Sequence, residues 1–211
     1  MDHLTPEPPY NATAIKIMSI AAQLFMQRGY RAVSINDIVR AAEITKPTLY
    51  YYFPDKEELF VQMGLHLLAS MHGAMQTAIA AQATLAGRLV ALAEILLNDR
   101  DGDMRMMRHE MYQHLGPPHQ ERLAQAFHVH LFMPIFDVMQ EGIAAGELEN
   151  AAPGELTMIF LGLMEAFHGA PTRNDQGSLA PAASISFNNM LISPLRVVNL
   201  FLHGVAPRSL V

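Results

Sequence analysis

Apolar residues recur along most of this chain at steps of three and four, the spacing that places side chains on one face of an α-helix. The first such segment, residues 12–28, carries Ile17, Ala21 and Phe25 on one side, and Gly29 follows it directly. Glycine readily adopts the left-handed backbone that ends many helices. The pattern therefore predicts a first helix over 12–28.

Residues 34–53 predict two short helices joined by a tight turn. Ser34 is a suitable N-cap, and Asp37, three residues later, completes a capping box. Lys46 begins the second helix with Pro47 in its first turn, where the missing N–H has no intrahelical partner. Such a pair is the helix-turn-helix pattern, whose second helix enters the major groove of DNA.

The second helix carries hydroxyl and ammonium groups on most of its surface. Leu49 and Phe53 are four residues apart, so both can face inward. The side chains left outside are Lys46, Thr48, Tyr50, Tyr51 and Tyr52. Hydroxyl and ammonium groups bind phosphate oxygens and position a protein on the duplex. The alternative is a core helix in which the tyrosines supply bulk.

Residues 12–59 resemble the DNA-binding domain of the TetR (tetracycline-repressor) family of transcriptional regulators. The residues that carry the resemblance are Ala21-Ala22, Leu24-Phe25, Gly29-Tyr30, Ser34-Ile35, Ile38, Ala41-Ala42, Thr45-Lys46, Thr48-Leu49-Tyr50, Tyr52-Phe53, Lys56-Glu57 and Leu59. The sequence departs from the family at Ser34, where Thr is commoner, and at Pro47, where Gly is. The resemblance implies an all-α protein with an N-terminal three-helix DNA-binding domain and a larger helical domain for ligand binding and dimerisation.

The candidate DNA-binding residues follow from this helix-turn-helix. They are Ser34, Thr45, Lys46, Pro47, Thr48, Tyr50, Tyr51, Tyr52 and Lys56. Ser34 and Thr45 are expected to contact the DNA backbone from the helix starts. Charge supports this assignment, because residues 10–56 carry six bases against three acids, whereas the chain as a whole has a net charge of -6. The partner expected is a palindromic double-stranded operator.

Further helices are predicted at about 56–81, 84–98, 102–115, 119–145, 153–170 and 194–204, with a kink at Pro134 because proline lacks one backbone donor. Asp55 and Glu58 form a second capping box at the start of the first of these helices. The segment 171–193 predicts a long loop. We therefore expect a flexible arm at 1–11, a DNA-binding domain at 12–56 and an effector-binding and dimerisation domain at 57–211.

The last two helices have surfaces suited to a second subunit. Gly162, Ala166 and Gly169 form a stripe of small residues, and Val198 and Leu202 lie on an apolar final helix. Ordinary packing within one chain is the alternative. The resemblance implies a homodimer, since TetR-like proteins dimerise through their last two long helices.

Fifteen methionines together point to an adaptable apolar pocket in the larger domain, although core filling is the better explanation of any one of them. The candidate effector-binding residues are Met71, Met107, Met111, Phe127, His128, Leu131 and Glu165. His128 lies on an apolar stripe and could be a polar anchor for a ligand. Glu165 and His168 face either a ligand or the dimer seam.

No catalytic or metal site is predicted. The chain has no Cys, no Walker loop and no G-x-S-x-G motif. His109 and His114 are five residues apart, and His128 and His130 are two apart, so neither pair can chelate one ion from a regular helix. We expect no cofactor and no enzymatic activity. The N-terminus is polar and no apolar run is long enough to cross a membrane, so a cytoplasmic location is expected.

The function expected is that of a dimeric TetR-like repressor, released from its operator by a small apolar effector. A helical sensor or scaffold that acts through a protein partner without binding DNA is the alternative. An enzyme with a helix-turn-helix appendage is a third possibility, but it has no nucleophile constellation to support it.

Overall fold

The computed structural model describes residues 10–97, 104–167 and 193–204, without the side chains of residues 104–106. Its helices are α1 (Ala12–Arg28), α2 (Ile35–Ala42), α3 (Lys46–Tyr52), α4 (Lys56–Ala80), α5 (Leu85–Leu96), α6 (Met104–His114), α7 (Pro117–Phe127), a π-helical segment (His128–Phe132), α8 (Met133–Ala144), α9 (Pro153–Phe167) and α10 (Pro194–His203). These ranges contain no strand, which confirms the all-α class. The predicted loop at 171–193, except for Ser193, and the predicted arm before Tyr10 lie outside the described residues.

None of the helices in the described ranges is both long enough and apolar enough to cross a membrane. The chain divides into two compact units. Unit 1 comprises Met1–Leu67 and Met104–Ala124, and unit 2 comprises Leu68–Asp103 and Gln125–Val211. Helix α6 and most of α7 therefore belong to the same unit as α1, α2 and α3.

The core of unit 1 combines the first three helices with the start of α4, α6 and α7. Its buried residues include Ile17, Ile38, Leu49, Phe60 and Leu123. Gly64 allows a close approach at the centre of this core, because a Cβ added there would lie 2.8 Å from Leu123 Cδ2 and 3.3 Å from Met107 Sδ. Helices α6 and α7 thus pack directly on α4 within unit 1.

Tyr30 links the end of α1 to α6. Its ring is stacked on His114 with centroids 5.6 Å apart, and its backbone N–H donates to Glu110 Oε2 at 3.3 Å. Glu110 Oε2 also lies 3.2 Å from His114 Nε2. Burial, with Glu57 and Asp55 adding to it, raises the pKa of Tyr30 to about 12, so the phenol stays neutral at ordinary pH.

Unit 2 is built from the second half of α4 together with α5, α8, α9 and α10. Leu89, Leu92 and Met139 are fully buried, and Phe160 meets Phe201 edge-on with ring centroids 5.3 Å apart. Val198, at 1% exposure, is also covered within this unit. The final helix α10 is therefore part of the core of unit 2.

Pro134 acts in a way that the sequence pattern only partly predicted. A π-helical segment precedes it, and Pro134 occupies the first turn of α8. In the π-helical register the Met133 N–H donates to His128 O, five residues earlier. Proline has no N–H, so the next bond of this register has no donor. His72 Nδ1 lies 3.2 Å from the His130 carbonyl oxygen, and a carbonyl only accepts, so Nδ1 carries the proton and donates to it.

We predict that alanine at two glycines of α4 has opposite effects. Gly73→Ala raises the free energy of unfolding by about 1 kcal/mol, because alanine is the better helix former and no described heavy atom lies within 4 Å of the added Cβ. Gly64→Ala lowers it by about 1 kcal/mol, because overpacking against Leu123 outweighs the same gain in helix propensity. Urea unfolding measures both. Equal stabilisation by the two variants would contradict the packing of α6 and α7 on α4.

We also predict that the hydrogen bond from His72 to the His130 carbonyl stabilises unit 2. His72→Leu leaves this carbonyl without its side-chain donor and should lower the free energy of unfolding by about 1 kcal/mol. Urea unfolding measures the loss. An unchanged free energy of unfolding would show that His72 does not donate to this carbonyl.

Candidate nucleic-acid interface

The start of α2 is fixed by a reciprocal capping box. The Ser34 hydroxyl accepts from Asp37 N–H at 3.2 Å, and the Asp37 carboxylate accepts from Ser34 N–H at 2.9 Å. The same carboxylate accepts from the Ser34 hydroxyl at 2.5 Å, and these hydrogen bonds lower the pKa of Asp37. The predicted capping box is confirmed. The Ser34 hydroxyl proton is therefore already used within its own helix start.

A left-handed residue makes the turn between α2 and α3. Glu43 has φ 55° and ψ 45°, and the next N–H, that of Ile44, donates to Val39 O at 3.1 Å. Thr45 then caps α3 by accepting from Thr48 N–H at 3.3 Å. The hydroxyls of Thr45 and Thr48 lie 2.8 Å apart. The turn is thus closed by bonds at both of its ends, which fixes the start of α3.

Helix α3 has one buried and one exposed face. Leu49 is 0% exposed, and Phe53, which ends the helix, is 1% exposed. Tyr51 is 82% exposed and Tyr50 is 47% exposed. Lys46 and Pro47 are also exposed, and Thr48 and Tyr52 are half-buried. The predicted inward and outward faces are confirmed, and the alternative of a core helix is wrong for Tyr50 and Tyr51.

Tyr52 differs from its two neighbours. Its ring packs against the hydrophobic core of unit 1 and meets the Tyr51 ring edge-on, with centroids 4.9 Å apart. Its hydroxyl accepts a hydrogen bond from Asn11 Nδ2 at 2.7 Å. Tyr52 is therefore a half-buried side chain that is held by contacts of both its ring and its hydroxyl. Asn11 is not among the predicted site residues, because its position before an amphipathic helix indicates only an N-cap.

Lys56 is directed away from the exposed face of α3. Its Nζ lies 4.0 Å from the centroid of the Tyr30 ring. Burial lowers the pKa of this ammonium, and the nearby Glu110 carboxylate acts in the opposite direction. In this conformation, Lys56 takes part in a cation–π contact inside unit 1. The structure thus separates it from Lys46, with which the sequence analysis grouped it.

The candidate effector residues do not form one cluster. Met107 and Met111 are buried in the core of unit 1. The others lie in unit 2, where Leu131 is buried, Met71, Phe127 and Glu165 are half-buried, and His128 is exposed. His128 stacks on Phe132 with centroids 5.2 Å apart. Of the candidate effector residues, those in unit 2 therefore remain as the proposed lining of the predicted apolar pocket.

Of the two histidines in the π-helical segment, His130 is the one with a buried ring nitrogen, whereas His128 is exposed. Its Nδ1 has no hydrogen-bond partner within the described residues, and its ring meets that of His72 with centroids 5.2 Å apart. Burial, together with His72, lowers the pKa of His130, so this imidazole favours the neutral form. The sequence analysis missed it because the π-helical segment changes which side chains face inward.

The candidate dimer residues are divided between surface and core. Gly162 and Ala166 are exposed, Leu202 is half-buried, and Val198 is buried by its own unit, so the prediction that it is free for a partner is wrong. Gly169 and His168 lie outside the described residues. Three exposed apolar side chains outside the predicted dimer set share these two helices: Met158, Ile159 and Leu195, at 61%, 48% and 57% exposure.

In the ranges that the structure describes, no three His, Asp or Glu side chains gather as a metal site would require. This holds for His109 and His114, whose imidazoles the sequence analysis had weighed as ligands. His114 instead pairs with Glu110 and stacks on Tyr30.

Comparison with known proteins places this helix-turn-helix in a family. Residues 17–63 match the model of the bacterial regulatory proteins of the tetR family. The transcriptional regulator QacR of Staphylococcus aureus is 42% identical over 48 residues, which are 23% of this chain and 26% of QacR. The sequence match thus spans about a quarter of the length of this curated relative.

Solved structures extend the similarity of the fold to about nine-tenths of the chain. The transcriptional regulator FadR of Bacillus subtilis, solved with stearoyl-CoA, has a TM-score of 0.71 at 16% identity, over 91% of this chain and 99% of FadR. The superantigen PfiT has a TM-score of 0.70, also at 16% identity, over 92% of this chain and 96% of PfiT. At such identities the similarity establishes the fold alone. Over residues 17–63, the resemblance of the helix-turn-helix to the tetR family of bacterial regulatory proteins is thus confirmed.

Proposed function

We propose that this protein is a DNA-binding transcriptional repressor that binds a palindromic operator as a homodimer. The observation that carries the proposal is the exposed face of α3. Tyr51 is 82% exposed on a helix whose other face is fully buried, and Lys46 lies on the exposed part of the same helix. Exposed hydroxyl and ammonium groups on one face of a helix are well suited to bind a phosphate backbone.

The groups on this face supply two kinds of contact. The Lys46 ammonium would neutralise a phosphate and release counterions. The hydroxyls of Tyr50 and Tyr51 would donate to phosphate oxygens, and the Thr48 methyl could meet a thymine methyl. Ser34 and Thr45 are engaged in their own caps, so their part is to fix α2 and α3 in position. Lys56 would join the interface only by leaving the Tyr30 ring.

Dimerisation is proposed through the exposed apolar face of α9 and α10. Met158, Ile159, Gly162 and Ala166 share one side of α9, and Leu195 adds an exposed side chain from α10. Two copies would present two α3 helices to successive major grooves, which matches a palindromic site. Protein bound to chromosomal DNA acts in the cytoplasm, so the proposed role requires that location.

A small apolar effector is proposed to bind unit 2 and release the DNA. An effector shifts the conformational equilibrium only by its difference in affinity between the two states. The half-buried Met71 and Phe127 and the buried Leu131 supply apolar surface there. FadR, which was solved with stearoyl-CoA, has the same fold, so a long acyl chain is a rational first probe.

A sensor that acts without DNA remains the second candidate. PfiT is named a superantigen and shares the fold over nearly the whole chain, so the fold does not by itself imply gene regulation. Under this alternative the exposed face of α3 would have no role. Substitutions on α3 separate the two functions.

We predict that Lys46→Gln weakens operator binding about tenfold and lowers the slope of log affinity against log salt by about one per subunit. Lys46→Arg keeps the charge and therefore the slope. Fluorescence anisotropy over a salt series measures both quantities. Equal slopes for wild type and Lys46→Gln would contradict a phosphate contact at this residue.

For the exposed aromatic rings, we predict that Tyr51→Ala weakens operator binding about tenfold, because a well-placed donor and its stacking surface are lost. Tyr112→Ala is the matched control. Tyr112 is 60% exposed on α6, outside the helix-turn-helix, and its loss should leave affinity unchanged. If the two variants bind DNA equally well, α3 is not the reading helix and the sensor function gains support.

For the effector, we predict that stearoyl-CoA releases the operator whereas coenzyme A alone does not, because the acyl chain supplies the apolar surface that unit 2 would bury. Anisotropy of the preformed complex during titration reports release. Release by both compounds would indicate a site for the nucleotide part. Release by neither would rule out a long acyl chain as the effector.

A further inference from the structure

Asn11, the residue before α1, makes two side-chain hydrogen bonds at once. Its Oδ1 accepts from Ala14 N–H at 2.9 Å, which caps α1. Its Nδ2 donates to the Tyr52 hydroxyl at 2.7 Å, 41 residues along the chain at the end of α3. The exposed amide of Asn11 therefore links the start of α1 to the end of α3.

The geometry leaves no freedom in the direction of these bonds. A backbone N–H can only donate, so the amide oxygen of Asn11 must face Ala14 and the NH2 group must face Tyr52. The Tyr52 oxygen is therefore an acceptor towards Asn11. A phenolic hydrogen lies near the ring plane and has two favoured positions, and the one that faces Asn11 is blocked. The hydroxyl hydrogen of Tyr52 takes the other position.

The surroundings of this pair restrict its movement. Tyr10, the residue before Asn11, donates its hydroxyl to Gln62 Oε1, and its ring meets His66 edge-on with centroids 5.7 Å apart. The Tyr52 ring packs against the core of unit 1 and against Tyr51. These contacts hold the backbone next to Asn11 and the ring that carries the Tyr52 hydroxyl.

Gln62, which accepts the hydrogen bond from Tyr10, is itself held by further hydrogen bonds within unit 1. Gln62 Nε2 donates to Glu58, and Arg122 NH1 donates to the same carboxylate at 2.8 Å. Arg122 also reaches Glu58 through its second nitrogen, at 3.2 Å. A chain of hydrogen bonds thus runs from α7 through α4 to the residue beside Asn11.

We infer that Asn11 is a positioning residue for DNA recognition: it accepts no contact from DNA itself but directs the Tyr52 hydroxyl hydrogen outward, to a phosphate oxygen. The inference rests on the proposed function, since it needs α3 to lie against DNA. The half-buried Tyr52 would then contribute an uncharged hydrogen-bond donor with a fixed direction. Without the bond from Asn11, the hydroxyl hydrogen of Tyr52 would occupy both of its favoured positions.

Two substitutions separate this role from helix capping. Ser and Asp cap a helix about as well as Asn, so both variants should keep the thermal midpoint of the wild type. Asn11→Ser loses the donor to Tyr52, and operator affinity should fall about threefold to tenfold. Asn11→Asp replaces the donor with an acceptor, which attracts the Tyr52 hydrogen inward, and affinity should fall further.

The double-mutant cycle with Tyr52→Phe is the decisive test. In the Tyr52→Phe background, Asn11→Ser should have no further effect on operator affinity, because the hydroxyl that it positions is absent. The slope of log affinity against log salt should stay unchanged in Asn11→Ser and in Tyr52→Phe, because an uncharged donor releases no counterions. Lys46→Gln, which changes that slope, is the control.

The outcomes distinguish this inference from the proposed function. If the wild-type protein binds no operator selectively, the proposed function fails and the inference fails with it. If the wild type binds and Asn11→Ser weakens binding equally in both backgrounds, Asn11 acts through the cap or by direct contact and the inference alone is overturned. Undiminished binding by Asn11→Ser in the wild-type background overturns it too.

Discussion

The burial of Leu49 and Phe53 is the constraint on which the exposed face of α3 depends. A helix of seven residues is too short to be stable in isolation, so packing must hold α3 in place. Leu49 and Phe53 are four positions apart and both fully buried, which fixes the rotation of the helix about its axis. Once that rotation is fixed, Tyr50 and Tyr51 have no place except at the surface.

The rest of unit 1 supports the same helix from behind. Gly64 lets α6 and α7 pack on α4, and Glu110 ties α6 to the backbone at the end of α1. Helices α2 and α3 therefore belong to a compact unit that is larger than three helices alone. A displacement of α6 would act first on Tyr30, whose N–H bonds to Glu110 and whose ring stacks on His114.

Local signals predicted most of the helices and the chemistry of α3. The caps at Ser34 and Thr45 and the four-residue step from Leu49 to Phe53 are short-range features, which sequence reasoning can evaluate directly. Features that depend on tertiary contacts were not predictable. Lys56 meets Tyr30, Met107 meets Gly64, and the π-helical segment before Pro134 buries a nitrogen of His130 instead of His128. Each of these features depends on where another segment of the chain lies in the fold. The periodicity of the sequence gives no information on that position.

The most direct test of DNA recognition by α3 is selection of binding sites from random duplex DNA by the purified protein. The account predicts enrichment of one palindromic sequence, with half-sites about one helical turn apart, and its loss when selection is repeated with Tyr51→Ala. Failure to enrich any sequence with the wild-type protein, or enrichment of the same site by Tyr51→Ala with equal affinity, would contradict the account.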